Sequence, residues 1–146
     1  MFQQHAISIK QSIAEATQKQ SVDQLAQQMF DVFFTQYPEA QVYFADYNLD
    51  ELAPRKFRLL TESLLDTLLY PDFAKDRLDE EVFRHLSHNL RDREYYFALL
   101  DALLHCIKTT LQDQWSDQYE EHWHDSMTGM KQMISLGVKN HLSATV

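Results

Sequence analysis

Phe30–Phe44, FDVFFTQYPEAQVYF, is the stretch on which the fold reading turns. Phe30, Phe33, Phe34 and Tyr37 recur at spacings of three and four, so a helix carries them on one face as an aromatic ridge. Pro38 disfavours α conformation at Tyr37, which predicts a helix end there and a short helical piece over 39–44. That piece brings a second apolar group, Val42, Tyr43 and Phe44, around the corner. Two aromatic segments meeting at a bend form a wall that other helices must cover.

Working outward, Ile9, Ile13 and Ala16 give helical spacing over 7–19, and Ser21 with Gln24 reads as a capping box that starts the aromatic helix. Beyond the corner, a loop passes through Asn48 and Asp50. The next helix is expected to begin near Pro54, which suits a first turn, with Phe57, Leu60, Leu64 and Leu68 as its stripe. Tyr70, Pro71 and Asp72 end it. After a polar connection, Asp79 is expected to cap a short helix from Glu80 to about Asn89, with Glu80 and Glu81 in its first turn. Asp92 caps another, from Glu94 to about Leu111. It carries Tyr95, Tyr96, Leu99, Leu100, Leu103, Leu104 and Ile107, so dense an apolar run that it belongs in the middle of the fold. Ser116 caps the last helix, with Tyr119, Trp123, Met127, Met130, Ile134 and Val138 at helical spacing. No repeat or low-complexity linker divides the chain, which reads as one all-α domain over 1–146.

Composition agrees. Only 2 Gly and 3 Pro occur in 146 residues, and strand alternation is scarce. A chain of this length can enclose a cofactor within a single core. Its net charge of -9 repels phosphate backbones and anionic lipid, apart from the small basic cluster Arg55, Lys56 and Arg58, so neither nucleic acid nor a membrane surface is expected as a partner. Residues 1–10 lack a basic start followed by a long apolar run, no segment approaches 18 uninterrupted apolar residues, and a cytoplasmic location is expected. The single cysteine, Cys106, sits in an apolar helix as a small core residue and leaves neither a disulfide nor a cysteine zinc site. There is no Gly-rich phosphate loop, nucleophile elbow or His-Glu-x-x-His helix. Met127, Met130 and Met133 read as core or subunit contacts. His5, His105, His122, His124 and His141 read as solvated surface.

His85 stands apart. With Val82 at the centre of the apolar face of its helix, Leu78, His85 and Leu86 fall within about one residue's rotation, whereas His88 points aside. An imidazole so placed is either a hydrogen-bonded core residue or a metal ligand, and the phase alone leaves both open.

The order of elements resembles the globin family, specifically single-domain bacterial globins, over about residues 7–142. Phe30, Pro38 and Phe44 match the spacing of a distal residue, a corner proline and a phenylalanine wedged against haem. Leu103, Leu104, Trp115 and Trp123 resemble the paired last two helices, with a one-residue insertion before Trp123. The resemblance implies a globin fold of about seven to eight helices around a haem pocket, holding haem b (iron protoporphyrin IX). It makes His85 the axial iron ligand, five residues before Leu90 and ten before Tyr95, with Val82 on the same face and His88 as the alternative ligand. An imidazole in that role needs an acceptor for its second N–H, expected in the backbone of 81–82. The distal gate maps to Lys56, or to Arg55 one residue away, and the residue pressing on the bound gas maps to Leu60. Lys56 either swings over the iron-bound ligand or snorkels to solvent or a haem propionate.

Three departures qualify the likeness. Glu81 replaces the apolar residue usual one turn before the histidine. Phe30 offers no proton donor where flavohaemoglobins carry Tyr, leaving Tyr43, Tyr47 or Lys56 to supply one. On the last helix, Ser135, Val138 and Lys139 stand where a Glu would back the axial histidine. The expected function is therefore reversible binding of a diatomic gas (oxygen, nitric oxide or carbon monoxide) for storage or sensing. A nitric oxide dioxygenase or weak peroxidase served by an external reductase, and a haem-free sensor module filled by an apolar ligand, are the alternatives. A homodimer is left open.

Overall fold

A computed structural model describes residues 2–87 and 93–144. It is helical throughout, with α1 Phe2–Lys19, α2 Val22–Gln36, a 3-10 segment Pro38–Phe44, α3 Leu49–Leu69, α4 Pro71–Ser87, α5 Arg93–Leu111, a 3-10 turn Gln112–Gln114 and α6 Asp117–Ala144. No strand occurs among the described residues, and none of their helices is long and apolar enough to cross a membrane.

Local chemistry explains most boundaries. Ser21 Oγ accepts from the Gln24 N–H and the Gln24 side chain accepts from the Ser21 N–H, the reciprocal box that opens α2. Ser116 Oγ likewise accepts from the Tyr119 N–H at the start of α6. The corner at Pro38 turns into a short helical piece as the sequence predicts, and that piece, Pro38–Phe44, has 3-10 geometry.

Three helices differ in extent from the sequence reading, and the first of them, α1, begins at Phe2 rather than near Ile7. α3 begins at Leu49 rather than near Pro54, because the Asn48 side chain accepts from the Asp50 N–H and Asp50 and Glu51 favour the first turn. Pro54 then lies inside the helix, and the Asp50 carbonyl forgoes the N–H it would otherwise receive. α4 is a single helix opened by Pro71, and Asp79 lies in its interior instead of capping a shorter one. The stripe Ala74, Leu78 and Val82 runs unbroken under the polar stretch 75–77, and α3 and α6 cover it. The expected cap Asp92, together with His88 and Leu90, lies outside the described residues.

α2 packs on α3 and α5, α4 on α3 and α6, and α1 across α3, α5 and α6. Trp123 is fully buried where α1 crosses α6, and its indole N–H donates to Ser12 Oγ at 2.8 Å while the Ser12 hydroxyl donates to the Ile9 carbonyl at 2.6 Å. His122, expected on the surface, is buried at the same crossing, with its ring 4.0 Å from that of His5. Cys106, Met127 and Met130 are core residues, and burial, then the charge of Asp31, pushes the Cys106 thiol up to about 11.

Candidate functional site

Where α2, the Pro38–Phe44 segment, α3, α4, α5 and α6 converge, they leave a cavity of about 80 Å³. Phe33, Tyr43 and Phe44 form one wall, Lys56, Leu60 and Ser63 a second, Leu78, Glu81, Val82 and His85 a third, and Tyr95, Tyr96, Leu99 and Leu100 the fourth. Ala40, Leu59, Met130 and Ile134 complete the lining. The mouth opens into an outer cleft that shares Tyr43, Phe44, Lys56, Glu81 and His85 and adds Val42, Asp46, Tyr47, Leu52 and Arg84.

Of the residues singled out from sequence, His85, Val82, Phe44, Lys56, Leu60 and Tyr95 line this one cavity. Phe30 does not. It is buried in the aromatic ridge, 5.4 Å from Phe44 edge to face, and Phe33 takes the place on the wall. Arg55 is exposed, so Lys56 is the basic residue of this helix at the cavity.

The aromatic wall continues the ridge of the sequence. Phe33 meets Phe30, Phe34, Tyr37, Phe44 and Tyr95 at centroid separations of 5.4–6.4 Å, mostly edge-on or tilted, as ring quadrupoles prefer. Tyr95 adds contacts to Tyr37 and Tyr43, and its hydroxyl donates to Glu39 Oε1 at 3.4 Å, away from the histidine.

His85 lies in the α4 wall of the cavity. Its Nδ1 lies 2.6 Å from the Glu81 carbonyl, the acceptor expected from sequence. A carbonyl only accepts, so Nδ1 bears the proton and the neutral ring presents a lone pair at Nε2. Burial, then the positive charge of Lys56, holds the imidazole pKa below its ordinary value, outweighing the opposing pull of Glu81. Among the described residues no hydrogen bond takes Nε2. The result is a neutral, oriented imidazole with a free donor nitrogen in an apolar cavity.

Two of the cavity residues that the sequence did not single out as site residues stand beside His85. The ring on His85 is that of Tyr96, 5.3 Å away and edge to face, whereas Tyr95 belongs to the aromatic wall. The Tyr96 hydroxyl is buried without a hydrogen-bond partner, and burial, then the negative charge of Glu81, pushes its pKa well above the ordinary tyrosine value. Its spacing to Leu99, Leu100 and Leu103 was the available signal. Glu81 is the second. Its carboxylate pairs with Arg84, and Oε2 stands 3.9 Å from His85 Nδ1. Lys56, at the mouth, is held below the ordinary lysine pKa chiefly by burial, with Glu81 opposing the shift.

Set against known proteins, the chain matches no protein-family model, and no curated protein matches it in sequence.

Proposed function

We propose that this is a globin-like haem protein that reversibly binds a diatomic gas, with His85 as the axial ligand. The observation that carries the reading is the state of His85: neutral, fixed by its own helix through Nδ1, and offering Nε2 within an apolar cavity. A ring so fixed suits the borderline-soft iron of haem.

The remaining residues fit such a group. Val82, Leu99, Leu100 and Ile134 give an apolar lining for a flat macrocycle, and Phe44 supplies an aromatic face at the mouth. Lys56 stands where the cavity meets the outer cleft, suited either to a carboxylate of protoporphyrin or to a gas bound at the iron, while Arg84 is paired with Glu81. When bound, the haem iron supplies the coordination position that a gas occupies. The chain excludes water with Leu59 and Leu60, orients the imidazole through Glu81, and has the Lys56 ammonium and the Tyr43 hydroxyl as proton donors on the cavity wall. Phe30 donates nothing, so selectivity among gases rests on those two groups and on apolar packing.

The test is the visible spectrum of the purified protein after haemin addition: ferric, then reduced, then under carbon monoxide. A Soret band that shifts with carbon monoxide is expected, lost in His85→Ala and retained in His88→Ala, with both variants folded by circular dichroism. The reverse pattern makes His88 the ligand. No Soret band in the wild type overturns the haem reading and leaves a cavity for an apolar ligand.

A further inference from the structure

We propose that the Glu81 carboxylate makes this residue a positioning residue that sets the donor strength of His85, acting on Nδ1 beside the main-chain carbonyl that already takes its proton. The inference rests on the haem reading only for its consequence at a metal; the contact itself belongs to the protein alone.

Two groups of one residue face the same ring nitrogen. The carbonyl is at 2.6 Å and takes the Nδ1 proton, yet in an α-helix that carbonyl is also the acceptor for the main-chain N–H four residues on, which is His85 itself. It is thus a shared acceptor. The carboxylate Oε2, at 3.9 Å, is charged and stands just beyond hydrogen-bond distance. Its side chain is only 15% exposed and lies along the wall formed by Leu78 and Val82, where a carboxylate is costly to hold without partners. Arg84 holds the other oxygen, Oε1, from the solvent side, which leaves Oε2 on the side of the histidine.

The surroundings favour a role beyond a surface ion pair. Lys56 and the Tyr96 hydroxyl line the same cavity, and the hydroxyl, buried without a partner, is a donor within the electrostatic reach of this carboxylate. An anion opposite the Nδ1 proton draws it outward and raises the electron density that Nε2 offers to a metal. Arg84 opposes this by holding the carboxylate towards solvent. Donor strength at Nε2 is then a balance between Arg84 and His85 for one carboxylate, all within a single turn and a half of α4. Flavohaemoglobins carry a Glu behind the histidine on the last helix; here a carboxylate stands beside the ring from the histidine's own helix.

The experiment uses the full chain in two states. In the haem-free protein, nitrogen-15 resonances of the His85 ring are expected to show a protonated Nδ1 whose shift moves in Glu81→Gln and moves oppositely in Arg84→Gln, where the carboxylate is released towards the ring. Arg84 is exposed, so this second variant keeps the fold. An Nδ1 resonance unchanged in both variants overturns the proposal. In the haem-loaded protein, Glu81→Gln is expected to lower the iron–histidine stretching frequency, raise the midpoint potential and weaken haem binding about ten-fold. A variant that binds haem through His85 with band and potential unmoved overturns the proposal and leaves the haem reading intact. Failure of the wild type to take up haem overturns that reading instead, and the nitrogen resonances then decide the role of Glu81.

Discussion

Two walls of the cavity are built on opposite principles. The α2 and Pro38–Phe44 wall is all ring packing: Phe30, Phe33, Phe34 and Phe44 touch one another at 5.4–6.4 Å. The α4 wall is thin in apolar area, with Leu78 and Val82 buried and Glu81, Arg84 and His85 gathered at its end. One wall is packed rings, and the other gathers the polar groups on which the proposed chemistry rests. Perturbing the first should therefore unfold the protein without altering its chemistry, and perturbing the second should do the reverse.

The largest effect tests the first half of that contrast. Phe30 is 1% exposed and meets three other rings, so Phe30→Ala leaves a cavity the rigid ridge cannot close and is expected to cost about 3–5 kcal/mol in urea denaturation. Phe30→Leu, which keeps most of the volume, is expected to fold and to bind carbon monoxide at the wild-type rate, since residue 30 does not line the cavity. A changed rate in that variant would make the ridge part of the site. On the α4 wall, His85→Ala is expected to abolish haem uptake while shifting stability by less than about 1 kcal/mol, because the ring is half-buried and alanine suits a helix. Global unfolding of His85→Ala would erase the distinction between the walls.

The same contrast explains what the sequence could convey. Aromatic rings at spacings of three and four need no knowledge of neighbours, so the ridge, the corner at Pro38 and the gathering of Phe44, Leu60, Val82, His85 and Tyr95 around one space were legible. α4 was harder. Its apolar positions are separated by charges, so Asp79 resembles a cap and 75–77 a linker, and only packing against α3 and α6 extends the helix through them. Tyr95 and Tyr96 differ by about 100° around α5. Which of them reaches His85 depends on how α5 is turned towards α4, a tertiary fact. Glu81 was visible as an oddity on an apolar face, but its partnership with Nδ1 needs the histidine's ring orientation. His122 was misjudged because nothing in α6 announces that α1 crosses over it.

A smaller effect comes from the unpartnered hydroxyl. Tyr96→Phe removes a buried donor that the haem-free protein leaves unsatisfied, so that protein should gain about 1 kcal/mol of stability, measured by its urea midpoint. If it instead loses stability, the hydroxyl is already satisfied in solution, and the α4 side of the cavity is as saturated as the aromatic side.

The shallowest effect concerns pH and again separates the walls, since the aromatic wall has no group that titrates near neutrality. Burial and Lys56 hold the folded His85 pKa below the ordinary 6.5. Between the ordinary and the lowered value the unfolded chain binds the proton more readily than the folded one, so stability rises with pH across that window. Stability is therefore full above the unfolded value, is lost as pH falls from about 7 through the folded value, and is constant in this respect below it. His85→Gln removes that slope in the haem-free protein while His5 and His122 remain, so the difference between the two acid limbs isolates residue 85. Coincident limbs would mean that the ring takes up its proton as readily in the cavity as in water, and the neutral donor nitrogen on which the α4 wall's chemistry depends would be gone.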